Sequence, residues 1–125
     1  MKIFTTTILL LSLSTATFAD NTTNFNQKKD QKISKITQRL VNASKRKMCI
    51  QNATSLEGMQ TCRVEKHKNK PFKLKKGMTF EEKKTKVVNR ITNHISKMNQ
   101  RKTCIENSLN IADLKACKPT KKHKK

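Results

Sequence analysis

Tryptophan and tyrosine are absent, and phenylalanine occurs only five times, at Phe4, Phe18, Phe25, Phe72 and Phe80. Base stacking needs aromatic faces, so specific nucleic-acid recognition is not expected. Glycine occurs twice, at Gly58 and Gly77, which excludes a glycine-rich phosphate loop. Only eight residues are acidic. Acid–base catalysis needs paired carboxylates or an oriented histidine. Glu57, Glu65, Glu106 and Asp113 show no pattern shared along the chain, and Glu82 is placed as a helix cap. His67, His94 and His123 have no zinc-type spacing, so no metal site or cofactor is expected. An enzyme is therefore not expected.

Long apolar runs are also missing, except near the start. Lys2 forms a short basic region, Ile8–Leu13 an apolar one, and Thr17-Phe18-Ala19 places small residues before Asp20. This is a signal-peptide pattern over 1–19. The run is too short for a spanning helix, which needs about 20 apolar residues. The chain is expected to be exported, periplasmic or secreted.

Against these absences stand 29 Lys and Arg, for a net charge of +21. Few large apolar residues with such a charge would leave a chain disordered unless something supplements its core. Four cysteines can do so. Cys49 and Cys62 have the same spacing as Cys104 and Cys117, inside a gap-free duplication. Aligning 24–63 with 79–118 pairs 40 positions, of which 11 are identical. Among these are Phe25/Phe80, Lys29/Lys84, Ile36/Ile91, Arg46/Arg101 and Ile50/Ile105. The pattern is a module used twice.

Each copy carries a helical stripe. Ile33, Ile36, Leu40, Ala43 and Ile50 alternate steps of three and four, as do Val88, Ile91, Ile95, Met98 and Ile105, with Lys47 and Lys102 at the remaining seam position. Thr79-Phe80-Glu81-Glu82 is a capping box, and Asn24-Phe25-Asn26-Gln27 is its counterpart. Long helices are expected over about 25–52 and 80–107. Ser55 and Asn110 are suited to cap short second helices over about 56–62 and 111–117. Each turn lies midway between the cysteines of its copy. A hairpin folded there favours Cys49–Cys62 and Cys104–Cys117 over the two other connectivities. Each bridge should stabilise by roughly 3 kcal/mol in the chain-entropy model. Thiol catalysis is disfavoured, because both cysteines of a pair lie near helix C-termini, where the dipole opposes a thiolate.

The expected architecture is all-α: two tandem disulfide-stapled helical hairpins, each a long plus a short helix, in a small bundle. Repeat one covers 20–63, a basic linker 64–78, repeat two 79–118, and a disordered basic tail 119–125.

The positive charge is the remaining functional signal. Lys45, Arg46 and Lys47 recur in part as Arg101 and Lys102, and the linker adds Lys73, Lys75 and Lys76. The bland explanation is a solvated helix face. The functional one is an anion-binding surface facing an anionic envelope component or an acidic protein, with peripheral membrane contact compatible with it. A chaperone-like or stress role through the helical seam and a secreted cationic effector or antimicrobial role are the alternatives. Either a monomer or a homodimer fits the stripes.

The block Arg101-Lys102-x-Cys104-Ile105-Glu106-Asn107 with Asp113-Leu114-Lys115-Ala116-Cys117 resembles one in small exported helical proteins of proteobacteria. The likeness covers the second half of each repeat and implies a periplasmic or secreted helical protein, without supplying an activity. Met78-Thr79-Phe80-Glu81-Glu82-Lys83-Lys84, leading into a basic helix, resembles Spy-type periplasmic chaperones. Their Leu-Thr-x-x-Gln motif is not present as such. Ile36-Thr37-Gln38 is only a fragment of it, so no residue role carries over.

Overall fold

The computed structural model describes residues 16–63 and 69–118, with side chains from residue 21 onward. The apolar run at 8–13, the start of the linker at 64–68 and the tail at 119–125 lie outside the described residues. Among the described residues there are four helices and no strand: α1 (Ala16–Asn52), α2 (Leu56–Thr61), α3 (Phe80–Glu106) and α4 (Ile111–Ala116). The fold is all-α and stapled by two disulfides.

Local chemistry sets most helix ends. Thr79 Oγ1 accepts from the Glu82 amide at 3.2 Å, and the Glu82 carboxylate accepts from the Thr79 amide at 3.0 Å. This capping box satisfies two otherwise orphaned donors. Ser55 Oγ caps α2 by accepting from Gly58 N at 3.0 Å, and Asn110 Oδ1 caps α4 by accepting from Asp113 N at 2.9 Å. Just before α3, Gly77 turns the chain with φ of 78°, a conformation that suits a residue without Cβ.

The first helix departs from expectation. It already includes Ala16, well before residue 25, and Asn24 lies inside it rather than capping it. Repeat two has Pro71 and Gly77 ahead of its helix. The corresponding positions in repeat one are Ala16 and Thr22, and neither interrupts a helix.

Each short helix folds back on its long one. The bridges Cys49–Cys62 and Cys104–Cys117 span Cα separations of 5.6 and 5.8 Å. Thr61 and Ala116 end the short helices just before the second cysteine of each pair.

Two apolar clusters hold the bundle together. One joins Ile36 of α1 to Met98, Ile105, Leu114 and Cys117 of repeat two. The other joins Val87 and Ile91 of α3 to Ile50, Ala53 and Met59 of repeat one, with Cys62 packed against them. The N-terminal part of each long helix therefore meets the hairpin of the other copy, so α1 and α3 run antiparallel. The 55-residue offset of the duplication carries Ala43, Ile50, Met59 and Cys62 onto Met98, Ile105, Leu114 and Cys117, and Ile36 onto Ile91. The clusters are thus two copies of one core related by an approximate two-fold axis. Each is completed by both repeats. Lys29 adds a polar tie across the same junction, donating from Nζ to the Ser108 carbonyl at 3.0 Å.

The described part of the linker is anchored to the core. Pro71 to Met78 lacks helix, yet Phe72 packs into the second cluster. Gln60 holds it there. Its Nε2 donates to Lys70 O at 3.2 Å, and its Oε1 accepts from Phe72 N at 3.1 Å. An aromatic ring flanked by lysines finds apolar burial that the lysines do not need.

Candidate functional site

The antiparallel arrangement separates the two duplicated basic patches. Arg46 lies where α1 meets the start of α3, beside Val87 and Ile91. Arg101 lies at the opposite end, where its Nε donates to the Cys117 carbonyl at 3.2 Å. Lys45 is exposed, and Lys47 and Lys102 are half-buried. Lys102 pairs with Glu106 at 3.5 Å, so part of its charge is used within α3. Lys73, Lys75 and Lys76 are exposed on the linker.

The end containing Arg46 has a defined concavity of about 370 Å³. Ala43, Val87 and Ile91 give it apolar surface, and Arg46, Arg63, Arg90 and His94 surround it with basic groups. None of its described lining residues is acidic. Phe72 forms one wall, and the Arg63 guanidinium lies over its ring at 3.7 Å from the centroid, a cation–π arrangement. Arg90 and His94 are exposed and one helical turn apart on α3. A shallower groove beside Cys49 and Cys62 shares Arg46 and Arg63 and adds Lys45 and Asn42.

Electrostatics at this end bear most on Arg46. Burial pushes the Arg46 guanidinium below its ordinary value, and the nearby positive Arg63 pushes it further. Arginine nevertheless stays charged in proteins. The Arg46 Nε is buried and has no hydrogen-bond partner among the described residues. Its duplicate, Arg101, uses the same atom to bond a carbonyl.

Of the basic residues singled out in the sequence, only Arg46 lines this concavity, while Lys45 reaches the adjoining groove. Arg63, Arg90, His94 and Phe72 were not anticipated, because they come from three separate elements. Phe72 did carry a signal, as the one aromatic residue in a lysine-rich segment. Among the described residues there is no cluster of three potential metal ligands and no helix long and apolar enough to cross a membrane.

No protein-family model, curated protein or solved structure matches this chain.

Proposed function

We propose that this is a non-catalytic, exported basic helical protein that binds anionic surfaces or acidic partners. The observation that carries the reading is how little of the positive charge is neutralised internally. There are 29 basic residues against eight acidic ones. Of those eight, Glu82 and Asp113 serve helix caps, and Glu81 and Glu106 each lie beside a lysine of their own helix. Basic groups at both ends of the bundle and on the linker suit an extended anion better than a point ligand. Such binding proceeds through counterion release and needs no sequence motif. Two disulfides are compatible with an oxidising, exported location.

The chaperone-like alternative relies on the helical seam. Weighing against it, Ile36, Ile91, Met98 and Ile105 of that seam are buried within the bundle. Among the described residues the exposed large apolar ones are Val41 and Met48 of α1, Leu74 of the linker and Leu109 between α3 and α4, so only the first two share an element. Sedimentation with phosphatidylglycerol and phosphatidylcholine vesicles separates the readings. The expected result is binding to the anionic vesicles only, reversed by about 0.5 M salt, where screening extends over only a few ångströms. Equal binding to neutral vesicles contradicts it. Salt-resistant suppression of client aggregation would favour the chaperone-like role, and vesicle leakage the membrane-active one.

A further inference from the structure

The duplication supplies an internal comparison for the concavity beside Arg46. Its lining positions have counterparts in the other half of the molecule: Ile91 is matched by Ile36, and Arg63, Arg90 and His94 are matched by the basic Lys118, Lys35 and Arg39, while other positions differ. Ala43 corresponds to Met98, whose longer side chain is buried in its own cluster. Gln60, which clamps the linker, corresponds to Lys115, which has no acceptor atom to offer. Phe72 corresponds to Thr17, so the aromatic residue at this position is not repeated. Val87 corresponds to Lys32, replacing an apolar floor residue with a charge. Arg46 and Arg101 are identical, yet only Arg101 has its Nε bonded to a carbonyl. One half thus combines a shortened side chain, an aromatic wall, an apolar floor and a buried guanidinium N–H without a partner among the described residues.

We propose that this concavity is a binding site for a small amphiphilic organic anion, with one carboxylate or phosphate group on an aliphatic or aromatic body. The volume of about 370 Å³ falls in the range of small-molecule pockets. Its composition, apolar surface with a few convergent polar groups, is of the same kind. The apolar body lies against Ala43, Val87, Ile91 and the Phe72 ring. The anionic group meets Arg46, whose planar fork matches carboxylate and phosphate oxygens. Arg90 and His94 complete the rim from α3. An anion there also gives the buried Arg46 Nε an acceptor. The site shares its positive character with the proposed polyanion surface but depends on shape as well as charge.

The test uses octanoate, with acetate as the charge without the body and 1-octanol as the body without the charge. Titrations of the full-length protein are followed by amide chemical shifts at Ala43, Arg46, Val87 and Ile91. Octanoate is expected to saturate one site, at least about tenfold tighter than either control, because charge-assisted and apolar contacts act together. Ala43→Met, which restores the residue of the other half, should weaken octanoate at least about tenfold by filling the floor. Arg46→Gln should do the same by removing the fork, and it carries the test if the methionine variant fails to fold. Acetate or 1-octanol binding as tightly as octanoate overturns the proposal, as does unchanged octanoate binding in the folded variants. Heparin binding is measured in parallel. Lost octanoate binding in wild type with retained, salt-sensitive heparin binding removes the pocket and leaves the surface reading intact. Saturable octanoate binding with salt-insensitive heparin binding does the reverse.

Discussion

Truncating Ile50 to alanine should loosen the other repeat as well as its own. Ile50 is fully buried at 0 % exposure and packs with Val87 and Ile91 of α3. Its counterpart Ile105 is 1 % exposed and packs with Ile36 of α1. A large-to-small change at such sites costs the transfer energy of the lost methyl and methylene groups plus a cavity term, together about 2–5 kcal/mol. A domain of this size has about 5–15 kcal/mol to lose. Ile50→Ala and Ile105→Ala should therefore each shift a single denaturant transition strongly, and by similar amounts. Hydrogen exchange shows where the damage goes. In Ile50→Ala the amides around 87–91 should exchange faster, and in Ile105→Ala those around 33–36. The reasoning fails if Ile50→Ala loosens repeat one alone, or if either variant unfolds in two steps with one half unaffected.

Removing one staple by Cys49→Ala with Cys62→Ala should cost roughly 3 kcal/mol in guanidinium titrations, and the Cys104–Cys117 pair a similar amount, because the closed loops are of equal length. The duplicated arginines should respond differently in thermal melts. Arg101→Gln removes the donor to the Cys117 carbonyl and should destabilise by about 1 kcal/mol, a half-exposed charged hydrogen bond lying at the low end of its class. Arg46→Gln relieves a partly desolvated charge beside Arg63 and should leave stability unchanged or raise it.

The features legible from sequence were those with local causes. The three-four spacing of Ile33, Ile36, Leu40 and Ala43 and of Val88, Ile91, Ile95 and Met98 marks the packed faces directly. Thr79 with Glu82, Ser55 and Asn110 act within a single helical turn, so the caps at α3, α2 and α4 follow from composition. The intra-repeat bridges follow from a turn midway between the cysteines. The start of α1 is not legible from Asn24, because repeat one lacks the proline and glycine that precede the cap of repeat two. The exchange of hairpins between the two cores was not legible, since the stripes of Ile36 and Ile91 fit parallel and antiparallel packing alike. Val87 was missed for a related reason. It lies one position from the stripe, and the wider angle of contact that buries it depends on Met59 and Phe72 arriving from elsewhere. The concavity is not legible in the sequence, because Arg46, Arg63, Phe72 and Arg90 converge only once the bundle and linker have folded.

The most direct measurement of the anion-binding account is the affinity of the intact protein for heparin across a series of salt concentrations. The logarithm of the affinity should fall linearly with the logarithm of salt, with a slope corresponding to several released counterions, each contact contributing close to one. Ala43→Met should leave that slope unchanged, since it removes no charge. An affinity indifferent to salt would contradict the account.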